Sequence, residues 1–196
     1  MTTAPLILGF DTSGPHVSAA LRRGDETVAL ASEDMKRGQA ERLMPLLEGT
    51  LAKADCSWTD LSAIGVGVGP GNFTGIRISV SAARGLALGL GIPAVGVSSF
   101  QAISLDQAER HIATVPAPRD QVYALGEGYP EPKLVPLSEI DTALARPLPA
   151  AAQLVTNIAR IAAAEFQKNP PRPAPLYIKP ADAAPPRDPA PVILDA

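Results

Sequence analysis

A mixed α/β fold is predicted from three observations. Leu6-Ile-Leu-Gly-Phe10 is an unbroken apolar run that stops at Asp11, the pattern of a central strand covered on both faces. Val17 to Arg22 and Thr27 to Ser32 each alternate apolar and polar residues, and Gly24-Asp25 turns the chain between them, so a three-strand meander opens the chain. After it, strand-like runs alternate with stretches of helical period, which is how a sheet with helices packed on it reads.

The elements follow in order. Leu43, Leu47, Leu51 and Ala54 are spaced for one face of a helix over about Gln39 to Ala54, and Pro45 should either kink it or mark its first turn. Ser57-Trp-Thr-Asp60 has the form of a capping box on a single helical turn. Ile64, Val66 and Val68 then alternate with Gly65, Gly67 and Gly69, a short strand with backbone packed closely on one face. Pro70 and Gly71 turn the chain, and Asn72 or Thr74 can cap a helix from about Gly75 to Leu90. Gly91-Ile-Pro93 ends that helix, Ala94 to Val97 is a strand, and Ser99 to about Arg110 a further helix.

Past Arg110 the texture changes. Of the 21 prolines, 16 lie from Pro116 onward, so residues 111–180 are expected as a smaller unit after an N-terminal unit of residues 1–110. His111 to Val115, Gln121 to Leu125 and Lys133 to Val135 read as its short strands, and Ala150 to Lys168 as a helix with Leu154, Ile158, Ile161 and Ala162 on one face. Asn169 to Pro175 is an extended linker, Leu176 to Ile178 a last short strand, and residues 181–196 a proline-rich tail.

Composition narrows the function. At 196 residues, with 46% hydrophobic and 19% charged residues, the chain can bury a substantial core. The net charge of −3 disfavours independent nucleic-acid binding, which needs a basic surface. Cys56 is alone, and His16 and His111 share no helical spacing with each other or with acids, so no metal site is expected. No window is long and apolar enough to span a membrane and no leader is evident, so the expected location is cytoplasmic.

The glycine-rich loop is the candidate site. Bare amides between a strand and a helix start can hold an anion, and the same glycines equally suit close backbone packing. The loop is neither a P-loop nor a dinucleotide fingerprint, since no Lys-Ser/Thr follows and the third glycine is one residue late. No nucleophile–base pair is apparent. The helix after the loop is apolar nearly all round, with Ile76, Ile78, Val80, Leu86, Leu88 and Leu90, so it should be buried on more than one side. The expected arrangement turns Ser79 and Ala83 outward to meet a partner, with Leu43, Leu47 and Leu51 as a second apolar surface; the partner is another copy or a paralogue.

The string Gly69-Pro-Gly-Asn-Phe-Thr-Gly-Ile-Arg77, with Phe10-Asp-Thr-Ser13 before it and Gly96-Val-Ser-Ser99 after it, resembles the TsaB (YeaZ) family. These are bacterial proteins of tRNA threonylcarbamoyladenosine synthesis in the actin-like ATPase superfamily. The resemblance runs over residues 6 to about 105 and thins beyond. It implies an actin-like (ASKHA, RNase H-like) fold with a complete N-terminal half and a reduced C-terminal half. It implies Asp11, Thr12, Gly69 and Gly71 as the remnant of a nucleotide-phosphate site, with Asp11 beside a metal-bound water; the same Asp11 and Thr12 also suit a simple turn cap. The catalytic relative carries a His-x-x-x-His pair that aligns with Ser99 and Ile103, which bind no metal. Where relatives have Asp-Ala-Arg this chain has Pro116-Ala-Pro118, and Gly126-Glu-Gly128, the one candidate for a second phosphate loop, reads better as a turn. The implied role is a scaffold without activity or cofactor of its own. It would dimerise with the catalytic TsaD subunit, work with the ATPase TsaE, and meet tRNA only through the complex; alone, it would pair with itself. The alternatives are a small actin-like ATPase or kinase using Asp11 and the loop, and a peptidase, which would need a metal or an activated nucleophile.

Overall fold

The computed structural model describes residues 4–178, so the proline-rich tail at 181–196 lies outside the described residues. The apolar run forms β1 (Leu6–Asp11), and the meander continues antiparallel through β2 (His16–Arg23) and β3 (Glu26–Asp34). On the other side of β1, β4 (Ala63–Gly67) and then β5 (Ala94–Val97) lie parallel, giving the order β3-β2-β1-β4-β5. This mixed five-stranded sheet is the N-terminal half that the resemblance implies. The reduced half is a four-stranded sheet ordered β8-β7-β6-β9, from β6 (Ile112–Ala117), β7 (Gln121–Gly126), β8 (Tyr129–Pro136) and β9 (Ala145–Pro147).

Period two in the strands decides which residues face which helices. Leu6, Leu8 and Phe10 share a buried cluster with Leu43, Leu47 and Leu51 of α1 (Gln39–Ala52) and Ile76, Val80 and Ala83 of α2 (Phe73–Leu90). Ile7, from the opposite face, packs with Leu154, Ile158 and Ala162 of α4 (Ala151–Glu165). β5 and β6 belong to different sheets, and α4, which follows the second sheet in the chain, crosses back to cover the first.

The strand glycines explain how closely α4 lies. A Cβ on Gly65 would stand 2.7 Å from the Ala162 Cβ and 3.1 Å from the Ile158 carbonyl oxygen, so glycine on the strand and alanine on the helix let the two backbones meet. Replacing Gly65 with valine is expected to push α4 off the sheet at a cost of about 3 kcal/mol. A thermal melt should fall by roughly 10 °C. An unchanged melt would mean that α4 is not seated on β4.

The structure corrects three sequence expectations. The helix at Ser99 is α3 (Ser99–Ser104) and does not reach Arg110: Leu105 is extended (φ −60°, ψ 128°) and Asp106 takes a φ of 67°, which ends the helix. Leu176 to Ile178 is not a strand; the one ladder-like contact is the Leu176 N–H donating to the Val68 carbonyl at 2.8 Å. The helix after the glycine loop begins at Phe73, because Asn72 and not Thr74 is the cap, its Oδ1 accepting the Gly75 N–H at 2.8 Å. The capping box at Ser57–Asp60 forms as expected, on a 3₁₀ turn.

Residues 169–176 make a strap from the end of α4 around the β5 edge of the sheet. Pro173 packs 3.4 Å from where a Gly96 Cβ would stand. Prolines along this strap remove donors beside an open strand edge, which blunts it against strand addition. The strap then reaches the start of α2, where Tyr177 stacks on Phe73 at 5.0 Å and its hydroxyl accepts from Arg77 Nε at 3.0 Å.

Candidate functional site

The end of β1, the turn into β2, the glycine loop and the start of α2 converge at the head of the first sheet. Asp11 is 1% exposed. Its Oδ2 accepts three hydrogen bonds: from the Ser13 N–H at 2.9 Å, the Ser13 hydroxyl at 2.9 Å and His16 Nε2 at 2.7 Å. A buried carboxylate needs this degree of satisfaction. Gly67, facing it from β4, has no room for a side chain because a Cβ would overlap Asp11 Oδ1.

Thr12 is equally committed. Its hydroxyl donates to the Gly75 carbonyl at 2.6 Å, tying the turn to the first turn of α2. Gln39, the first residue of α1, donates from Nε2 to the carbonyls of Gly14 at 2.7 Å and His16 at 2.8 Å. The Asn72 N–H donates to the Ser13 carbonyl at 2.6 Å. A side chain on Gly71 or Gly75 would overlap the carbonyl oxygens of Ser13 or Thr12, so both glycines serve the close approach of loop and turn. Gly69 is required for a second reason, its φ of 91°. On the far side, Ser99 donates from its hydroxyl to the Pro70 carbonyl at 3.1 Å.

Asp11, Thr12, Gly69 and Gly71 are thus brought together, with the Asp11 carboxylate held by Ser13 and His16 and the Thr12 hydroxyl by Gly75. A cleft of about 1040 Å³ opens beside them, bordered by Ser13, Lys36, Arg37 and Asn72 and, from the second sheet, by Pro116 and Tyr123. Among the described residues no group of three or more His, Cys, Asp or Glu is placed to hold a metal. Ser99 and Ile103 sit on α3, Ser99 against the loop and Ile103 in the apolar contact with the second sheet. Gly126 and Gly128 form the hairpin between β7 and β8, at the opposite end of β6 from the cleft.

Sequence reasoning missed His16 and Gln39 as parts of this site. The signal for His16 is its position five residues after Asp11 across a tight turn, which folds it back onto the carboxylate. It also missed a nucleophile–base contact: Ser104 Oγ lies 2.8 Å from His111 Nε2, and His111 Nδ1 donates to the Glu109 carbonyl at 2.9 Å. That contact joins the end of α3 to the start of β6, away from the cleft.

The expected partner face is corrected outright. Ser79 and Ala83 are 0% exposed and point at their own sheet, the Ser79 hydroxyl donating to the Gly67 carbonyl at 3.2 Å. Small residues there let α2 approach β4. Leu43, Leu47 and Leu51 are likewise buried in the core under α1. The surface left open is the other side of the same two helices: Ser81, Gly85, Leu88 and Gly89 on α2, and Met44, Pro45, Glu48 and Gly49 on α1.

The family model described as TsaD, tRNA N6-adenosine threonylcarbamoyltransferase, matches residues 31–134. The tRNA threonylcarbamoyladenosine biosynthesis protein TsaB of Escherichia coli is 36% identical over 122 residues, covering 60% of this chain and 52% of its own length. An uncharacterized protein of Mycobacterium tuberculosis is 34% identical over 119 residues, covering 60% of this chain and 56% of its own. The chain spans about half the length of the curated relatives it matches. A solved Pseudomonas aeruginosa structure, described as an uncharacterized protein with similarity to peptidase YEAZ, superposes with a TM-score of 0.70 at 25% identity, covering 89% of this chain and all of that one. YeaZ from the same organism gives 0.64, also at 25% identity.

Proposed function

The chain belongs to the TsaB (YeaZ) family, within the wider family described by the tRNA N6-adenosine threonylcarbamoyltransferase model, and we propose that it is a scaffold subunit of that tRNA modification. In this reading it has no chemistry of its own. It pairs with a TsaD-like catalytic subunit, works beside a TsaE-like ATPase and meets tRNA only within the complex. Its place in this reading is the cytoplasm; no helix among the described residues is long and apolar enough to cross a membrane.

The observation that supports this most is the state of Asp11. An actin-like ATPase needs that carboxylate facing a hydrated cation. Here Oδ2 is filled by Ser13 and His16, and the loop amide of Asn72 is spent on the Ser13 carbonyl. Clearing the turn would expose a buried carboxylate and break several hydrogen bonds at roughly 1 kcal/mol or more each. In this reading that cost is taken from nucleotide affinity.

The partner surface in this proposal is the outward face of α1 and α2. Where a Cβ would be added on Gly49, Gly85 and Gly89 there is open space, and a second pair of helices can approach closely over them. A shared sheet-and-partner role for α2 still accounts for its apolar character all round, with the rotation reversed from the sequence expectation.

Titration calorimetry of the isolated chain with ATP and ADP tests the first half of the proposal. Affinity no tighter than millimolar, about 4 kcal/mol of binding free energy, is expected. Micromolar binding lost in Asp11→Ala would replace the scaffold with the small ATPase.

A further inference from the structure

We propose that the groove between the C-terminal half of α2 and the proline strap is a second docking surface, for a partner segment whose apolar side chains are flanked by carboxylates. The groove holds about 780 Å³ and runs from Arg84 to Leu88 on α2, past Ile92, to Phe166 at the end of α4 and Pro170 and Arg172 on the strap. Its floor is apolar. Leu88, at 84% exposure, is the most exposed large hydrophobic residue of the described chain and stands on its rim.

Charge selects the occupant. Arg84 and Arg172 both border the groove, both are exposed, and neither is in an ion pair among the described residues. Arg22, Arg42, Arg110 and Arg160 each take an acid of this chain, while Arg23, Arg37, Arg77, Arg119 and Arg146 have no ion pair among the described residues but do not border this groove. Two guanidiniums with no acid partner among the described residues, beside Leu, Ile and Phe, give the composition of a recognition surface, in which arginine and large apolar groups carry the contact. Guanidinium binds carboxylate through paired N–H donors, so an acidic, apolar protein segment satisfies rim and floor together. A nucleic-acid strand would satisfy the arginines alone and leave the floor wet.

The surface does not depend on the pairing proposed for α1 and α2. Gly85 and Leu88 also belong to the outward face of α1 and α2, so a partner seated closely there and the acidic segment contend for them.

The test uses the full chain, isotope-labelled, and three probes. One is a hexapeptide with a leucine–phenylalanine pair flanked on each side by two glutamates; the second has lysines in place of the glutamates; the third is a ten-nucleotide single-stranded RNA. The glutamate peptide is expected to shift the amide signals of Arg84, Leu88, Ile92 and Arg172 and to bind at least tenfold more tightly than the lysine peptide. A double variant, Arg84→Glu with Arg172→Glu, should lose that binding at least tenfold and gain affinity for the lysine peptide, with its melt unchanged because both side chains are exposed. Equal binding of the two peptides, shifts confined to other residues, or RNA binding at the arginines in place of the glutamate peptide would each overturn the proposal.

Discussion

Replacing Ala83 with arginine is expected to remove a large part of the fold's stability. Ala83 is 0% exposed and lies in the cluster of Leu8, Phe10, Leu43, Ile76 and Val80 between α2 and the first sheet. The new side chain would bring both excess volume and an unpaired charge into that layer. Such substitutions cost about 4 kcal/mol or more, against a total stability of roughly 5–15 kcal/mol for a domain. Urea denaturation followed by circular dichroism should show the midpoint falling by a large fraction of its value. An Ala83→Arg protein that melts like the parent would place this face of α2 outside.

The contrast with the sequence expectation shows what one sequence specifies and what it leaves open. The strands were legible because burial on a sheet imposes a period of two, and Gly65 and Gly67 announced close packing that Ala162 and Asp11 now account for. The existence of α1, α2 and α4 was legible from their period of 3.6 residues. The rotation of α2 was not. Apolar residues surround it, so the hydrophobic pattern has no preferred direction, and small residues at Ser79 and Ala83 fit a sheet contact as well as a helix contact. The site was half legible. Asp11, Thr12 and the loop glycines are brought together as the motif implies, while the closure of Asp11 by His16 depends on a turn geometry that residue identities do not carry. The early end of α3 at Ser104 rests on the backbone of Leu105 and Asp106 and had no strong breaker in the sequence.

On the outward side of the same helix, Gly85→Arg is expected to leave the fold intact and abolish association with a TsaD-like partner. Gly85 is exposed, and nothing of this chain lies within 4 Å of an added Cβ. Removing a glycine from a helix interior should raise stability by up to about 1 kcal/mol, so the melt should hold or rise. At a close helix–helix contact the same side chain overlaps the partner, and the loss should be about a hundredfold or more in affinity, roughly 3 kcal/mol. Sedimentation velocity of the variant mixed with the partner, beside a thermal melt, reads both effects. Association at the parental affinity would move the interface off this face.

The scaffold role is tested most directly by reconstitution. The chain, a TsaD-like subunit and a TsaE-like ATPase from the same organism would be mixed with tRNA and threonylcarbamoyl-adenylate, and modified adenosine measured as this chain is titrated in. The account predicts no transfer by the chain alone. Transfer by the other components should rise with added chain and saturate at one copy per TsaD-like subunit. Transfer by the chain alone, or a full rate without it, would contradict the account.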